Sequence, residues 1–418
     1  MSRNFTLARS FHAPGAQNGC AKFGSNKIFW RVRLKQSAGE YSLVQKFDCI
    51  VIGIGGMGSA TVHNLAKRGQ KVLGLEQFDI PHAEGSSHGV NRIIRLAYYE
   101  HTSYVPLLRR AYEMWSEIET IADEQILYKT GSIDTAPSGH EVFEGSLESC
   151  LEHDLPHEVL DHKQMNDRFP GYQMPPGHMG LLQQDGGFVL SERSIVAYVN
   201  AAIAEGAEIH ARESVVKWEP EGEGVRVFTD RGEYTADRLV ITAGAWASGM
   251  VPFLEKLAIP ERQVLVWLQP EEPSLFTPDV FPVFNAYFEE GRYYGFPVFG
   301  IPGFKIGRYH HLEEYVDPDI NSSVVTAEDE EILRVAVARY FPKANGTVMT
   351  LKTCMFTNTP DEHFIIDLVP GYPQVSVAAG FSGHGFKFAS VVGEILGDLA
   401  LNGKTNHNID LLKIDRFE

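Results

Sequence analysis

Two glycine-rich segments, two arginines, one lysine and one cysteine are the residues of this chain best suited to chemistry. The first segment is Gly53-Ile54-Gly55-Gly56-Met57-Gly58, with Glu76 placed 18 residues beyond Gly58. Gly53 permits a tight turn, Gly55 lets the backbone approach a pyrophosphate, and Gly58 lets a helix pack closely on a strand. Gly56 and Met57 open that helix, whose free N–H groups and positive dipole face phosphates. Glu76 can accept both hydroxyls of a ribose, and its charge disfavours a 2′-phosphate. The spacing therefore predicts a cradle for an ADP half and argues against NADP. The second segment is Gly380-Phe381-Ser382-Gly383-His384-Gly385-Phe386-Lys387. Three glycines in six residues weaken a turn without visible gain unless a ligand lies against its backbone. His384 and Lys387 are placed to meet that ligand. Arg92 and Arg95 flank Ile93 and Ile94, which points to a partly buried pair of cations rather than two solvated ones. Taken alone, Cys354 reads as a small buried residue and Lys305 as a lysine lying along the surface.

The elements that must hold these residues are legible in the apolar pattern. Phe47–Ile52 is a short buried strand, Ser59–Arg68 a helix ended by Gly69, and Lys71–Glu76 a second strand, which completes a βαβ unit. Helices are expected over 102–122, 191–205 and 327–340. Short strands are expected at Ser214–Glu219, Val225–Thr229, Glu233–Ala236 and Arg238–Thr242, with a hairpin turn at Asp230-Arg231-Gly232. The apolar strand Leu239–Thr242 runs into the small-residue turn Ala243-Gly244-Ala245-Trp246, an order usual in FAD proteins, and this favours FAD over NAD. A strand at Gln374–Ala379 leads into the second glycine segment and then a helix with Phe388, Val391, Val392, Ile395 and Leu399 on one face. Residues 128–187 are rich in Gly, Pro and His with short strands, and 259–358 are mostly β. The fold class is thus α/β, in an α+β composite. A discontinuous Rossmann-like FAD-binding domain (47–127, 188–258 and 359–418) has a β-rich substrate domain (128–187 and 259–358) inserted.

The 418 residues suffice for two packed domains, and a net charge of −17 makes nucleic acid an unlikely partner. No apolar run approaches the roughly 18–20 residues that span a bilayer. The four cysteines are far apart, so neither a disulfide framework nor a metal site is suggested. Residues 1–46 hold eight basic residues against Glu40 alone. This leader reads as a disordered extension, with a mitochondrial transit peptide as the alternative, and the remainder as a cytoplasmic protein.

The strings Gly53–Gly58, Gly85-Ser86-Ser87-His88-Gly89, Arg92–Arg95, Cys354-Met355-Phe356-Thr357, Asp361-Glu362-His363-Phe364-Ile365-Ile366-Asp367 and Gly380–Lys387 occur in this order. In that order, from Phe47 to the C-terminus, the chain resembles the monomeric sarcosine oxidases and N-methyltryptophan oxidases. The resemblance implies a monomer that oxidises N-methyl or other secondary amino acids, with O2 reduced to H2O2. It implies FAD attached covalently through Cys354. It casts Arg95 and Lys387 as the pair that holds the substrate carboxylate, Arg92 as a residue against the flavin ring, and Lys305 as the activator of oxygen. His384, Tyr294 and His310 fall at or near further active-site positions. Ser86, Ser87, Val215, Gly244, Gly383, Gly385 and Phe386 join the glycine loop and Glu76 in the expected cofactor set. Phe356 replaces a tyrosine and Ser87 a histidine, which argues for a bulkier or more apolar substrate than sarcosine. Arg308 is an extra residue, and it leaves open which of Tyr309 and His310 takes the family's histidine place. Two other readings remain: a dehydrogenase passing electrons to a quinone or protein, and a non-catalytic flavin-stabilised binding protein.

Overall fold

The structure is a computed structural model that describes residues 44–320 and 323–417. Residues 1–43 of the basic leader lie outside the described residues. The last residues assigned to the leader do not belong to it, because the first strand starts at Gln45, where Gln45 and Lys46 pair with Tyr234 and Thr235.

Gln45–Ile52 sits in the middle of an eight-stranded sheet, between Glu233–Ile241 and Val72–Leu75, all parallel. Its last four residues are buried, as a strand covered on both faces requires. Tyr372–Ala379 pairs with Glu233–Ile241 and brings the C-terminal glycine segment beside the N-terminal one. Glu233–Ile241 is one strand of nine residues rather than two. Asp237 looks like a break, but it points to solvent and pairs with Lys46 at 2.8 Å. The helices Gly56–Lys67, Tyr104–Ala122, Ser191–Ala204 and Ala389–Asn402 pack on one another beside this sheet.

A second eight-stranded sheet runs in the order Val348–Asn358, Ile259–Leu268, Phe304–Arg308, Gly291–Phe296, Val283–Phe288, Ser132–Pro137, His178–Gln183 and Glu158–Asp161. Its strands come only from 128–187 and 259–358. Aromatic rings dominate its core, among them Phe276, Phe281, Phe284, Phe304 and Phe341. Residues 128–187 also hold two helices where only strands were expected, Glu141–Glu152 and His162–Arg168. The buried face of the first includes Ser146, Ser149 and Cys150 beside Val142 and Phe143, so it shows little apolar periodicity. A small three-stranded sheet joins Asn91–Ile94, Gly187–Leu190 and Leu127–Lys129.

The first and last helices touch through glycine. A Cβ on Gly393 would lie 2.6 Å from the backbone of Ala60, and one on Gly397 would lie 2.4 Å from Asn64 Oδ1. Gly393→Val should therefore lower stability by roughly 1–3 kcal/mol through overpacking. A urea unfolding curve checks this, with Gly232→Ala as control, where added atoms meet nothing within 4 Å.

Candidate active site

The ADP cradle forms as its spacing requires. Gly53 has φ +87°, and a Cβ there would lie 2.6 Å from Thr242 O; one on Gly58 would lie 1.8 Å from Gly53 O. The residue before the helix that starts at Gly56 supplies no side-chain cap, and among the described residues only Ser87 Oγ, at 3.4 Å from Gly56 N, reaches its first N–H groups. Glu76 is buried and accepts from Ile54 N at 2.8 Å and Phe78 N at 3.0 Å, one bond on each carboxylate oxygen. A cavity of about 360 Å³ runs past these residues. Its walls include Gly53, Gly55, Gly56, Met57, Glu76, Ser86, Ser87, Arg92, Val215, Gly244, Gly383, Gly385 and Phe386. Gly58 supports the wall from behind. Sequence reasoning missed Glu213, Thr242 and Trp246, which also line it.

Arg92, which lines the cavity, comes together with Cys354 and Lys305. Arg92 donates to Ser86 O at 2.7 Å, and its Nη2 stands 3.7 Å from Cys354 Sγ. Cys354 is buried between the cavity residue Met355 and the cluster of Leu265 and Trp267. Lys305 is no surface lysine. It is 1% exposed and donates to Gly89 O, Asn91 O and Asn91 Oδ1 at 2.8–2.9 Å. Burial and the Arg92 charge push its pKa well below the ordinary lysine value. Three acceptors need three protons, however, and only the ammonium form supplies them. The acceptors are fixed by Glu192, whose carboxylate takes the N–H groups of Gly89 and Val90. Val90 holds φ +77°, strained for a β-branched residue, and that carboxylate grip maintains it.

Arg95 and Lys387 also meet. The Arg95 guanidinium carbon and Lys387 Nζ lie 4.5 and 5.2 Å from the centre of the Tyr98 ring. Arg95 is 1% exposed and donates to both oxygens of Glu100 at 2.8 and 3.0 Å and to Ala97 O. Asp134 stands 3.6 Å from its Nε. Burial raises the Glu100 pKa, but Arg95 together with Lys387 and Arg292 reverses this and holds it at about 2. Lys387 donates to His384 O at 2.7 Å, and burial with the Arg95 charge brings its pKa down to about 7. His384 Nε2 lies 2.9 Å from Glu362 O, a group that only accepts, so Nε2 carries the proton. Nδ1 then accepts from Tyr98 OH at 2.5 Å. Burial pushes the His384 pKa down to about 4, so this imidazole is a neutral brace between Tyr98 and Glu362.

Tyr294, Tyr309 and Phe356 form an aromatic wall, with ring centres 5.1 and 5.6 Å apart along the series. Tyr309 faces this wall. His310 does not: with φ +51° it turns away and bridges Glu261 at 2.9 Å and Glu362 at 3.1 Å. These two carboxylates raise its pKa to about 9. The structure thus puts the tyrosine, not the histidine, beside Tyr294. The signal was available in strand alternation, since Lys305, Gly307 and Tyr309 share one side while Phe304 and Ile306 enter the other core. A Cβ on Gly307 would lie 2.6 Å from Tyr294 OH, so that ring needs the glycine.

A family model described as FAD dependent oxidoreductase matches residues 48–399. The chain belongs to this family. It is 42% identical over 378 residues to the monomeric sarcosine oxidase of Bacillus sp. strain NS-129, an alignment covering 88% of this chain and 97% of the relative. It is 33% identical over 373 residues to the N-methyl-L-tryptophan oxidase of Citrobacter koseri, covering 89% and 99%. Among solved structures, the L-proline dehydrogenase of P. horikoshii has the same fold, with a TM-score of 0.78, 22% identity, and coverage of 90% of this chain and 98% of that one. NikD, an amino acid oxidase of nikkomycin biosynthesis, has a TM-score of 0.76 at 24% identity, covering 88% and 97%.

The residues present fit the family's FAD. A Cβ on Gly55 would meet only Ser87 Oγ, at 3.9 Å, so the backbone there is open to a pyrophosphate. Each Glu76 oxygen keeps a lone pair for a ribose hydroxyl. Among the described residues no cluster of side chains could hold a metal ion, and no helix is long and apolar enough to cross a membrane. Sequence reasoning missed Tyr98, Glu100, Asp134, Glu192 and Arg292, polar residues whose partners cannot be read from spacing.

The His384 assignment has a measurable consequence. The ordinary histidine pKa is 6.5. Between pH 6.5 and about 4 the unfolded chain takes up a proton that the folded chain refuses, so stability falls as pH drops through that window. Urea midpoints measured from pH 8 to pH 4 should therefore fall more steeply for the wild type than for His384→Gln. Parallel curves would show that His384 is not held neutral.

Proposed function

We propose that the protein is an FAD-dependent oxidase of N-methyl or other secondary amino acids. The net reaction for an N-methyl substrate takes the amine, O2 and water to the primary amino acid, formaldehyde and H2O2. The observation that carries this reading is the set of buried cations, Arg95 and Lys387 around Tyr98 and Lys305 beside Arg92, the last of which lines the dinucleotide cavity. When bound, FAD supplies a two-electron acceptor for the substrate C–N unit.

Arg95 and Lys387 take the substrate carboxylate. The carboxylate displaces Glu100 from Nη2 and gains the Nε proton, which has no hydrogen-bond partner. The exchange is of like for like, a carboxylate for a carboxylate, and fixes the amine carbon in one place. The wall of Tyr294, Tyr309 and Phe356 excludes water from it. Lys305 keeps a positive charge where O2 takes up its first electron. Arg92 lies against the flavin site, with its Nη2 3.7 Å from the sulfur of Cys354, the residue that would join the flavin through a thioether. Residues 47–127, 188–258 and 359–418 form the cofactor part, and 128–187 with 259–358 the substrate part. One chain supplies every group, which supports a monomer acting on a small amine and O2.

Two experiments test this. Anaerobic N-methyl amino acid should bleach the flavin of Lys305→Met, while reoxidation by O2 should slow about 100-fold or more. Unchanged reoxidation would remove the role given to Lys305, and dye reduction without peroxide in the wild type would mean a dehydrogenase. In the second, acid precipitation should leave the yellow colour in the protein pellet. Cys354→Ser should release it to the supernatant, and colour retained by that variant would place the link elsewhere.

A further inference from the structure

Arg292 is a cation that the mechanism above does not use. Its side chain is 15% exposed, yet among the described residues it makes no hydrogen bond, and its Nε is buried without a partner. The nearest anion is Glu362, at 3.8 Å from Nη2, and that carboxylate already serves His310 at 3.1 Å. A guanidinium whose Nε is buried without an acceptor is costly. The fold nevertheless holds it rigidly, with its carbon 3.6 Å from the centre of the Tyr309 ring. Tyr309 in turn faces Tyr294 and Phe356.

Its place relative to the carboxylate pair narrows the ligand. The Arg95 and Arg292 carbons lie 4.5 and 5.7 Å from the centre of one ring, Tyr99. One aromatic ring thus separates Arg95, which donates to Glu100 and Ala97, from Arg292, whose side chain makes no hydrogen bond among the described residues. Arg95 is paired with Glu100 and lies near Asp134; Arg292 feels the charges of Glu100 and Glu362 but hydrogen-bonds to neither. A ligand with two acidic groups a few bonds apart reaches both guanidiniums. Phe356 by itself favours an apolar side chain, but Phe356 supplies only one surface of this wall, and Arg292 supplies the charge next to it.

We propose that Arg292 receives an acidic group on the substrate side chain, so that the preferred substrates are N-alkyl amino acids carrying a second carboxylate. This rests on the amino-acid oxidase reading above and names its substrate class.

The test uses the purified holoenzyme with sarcosine, N-methyl-L-phenylalanine, N-methyl-L-aspartate and N-methyl-L-glutamate. The wild type should show its highest kcat/KM on one of the two acidic substrates. In Arg292→Met the ratio of kcat/KM for that substrate to kcat/KM for sarcosine should fall about 10- to 100-fold, mostly through KM. A wild-type preference for sarcosine or N-methyl-L-phenylalanine would overturn the proposal. So would an equal loss on every substrate, which is what a counterion of Glu362 would give. Ligand binding, read from the flavin absorbance, gives a separate measure. Glutarate should bind the wild type more tightly than butyrate, and Arg292→Met should erase the difference. If no amine bleaches the flavin, the oxidase reading fails by itself, and the glutarate comparison still decides Arg292: equal binding of the two acids overturns it.

Discussion

A guanidinium taken out of water must find its counter-charges inside the protein, and the burial of Arg95 orders much of the structure around it. Glu100 takes one edge, Ala97 O another, Asp134 stands near Nε, and the rings of Tyr98 and Tyr99 lie 4.5 Å from its carbon. Each partner has its own support. Asp134 accepts from Ser146 and Asn285, which lie on the helix Glu141–Glu152 and the strand Val283–Phe288. Tyr98 reaches His384 and through it Glu362. Gln183 takes the N–H groups of Leu96 and Ala97. One charge thereby ties the small sheet, the aromatic sheet and the C-terminal glycine turn together. Removing any one partner leaves a buried group unpaired, which is far more damaging than never having built the pair.

The same logic separates a neutral compartment from a charged one. His384 is kept uncharged by burial, whereas His310, which meets the side chain of Glu362, is kept charged by two carboxylates. Lys305 is held by oxygens alone. The site therefore holds cations of fixed position, with Lys305 close to Arg92, a residue that lines the cavity. The arrangement suits an anionic substrate whose charge is anchored while its neighbouring C–N bond reacts.

What the sequence disclosed and what it hid follow from range. The cradle of Gly53–Gly58 and Glu76 was legible because it depends on backbone conformation within one βαβ unit. The C-terminal turn was legible for the same reason, and its three glycines sit against Thr359, Phe356 and Phe381. The helix Glu141–Glu152 was hidden because Ser146, Ser149 and Cys150 serve as its buried face. Tyr309 was left level with His310 until the strand register showed which one turns inward. Arg292 and Glu192 stayed invisible because a polar residue announces a partner only when the fold brings one from far along the chain. For Lys305 and Cys354 the residues alone pointed to bland roles, and only the order of motifs around them suggested more.

The claim that buried cations await a carboxylate is tested most directly by the pH dependence of binding a non-oxidisable monocarboxylate, followed through the flavin absorbance. Lys387 is protonated below about pH 7 and neutral above it. The bound anion favours the protonated form, so affinity should be constant below that pH and weaken, by up to tenfold per unit, as pH rises beyond it. Lys387→Met should flatten the profile. Binding that is independent of pH from 6 to 9 in the wild type, or that is equally tight for the methyl ester, would contradict the account.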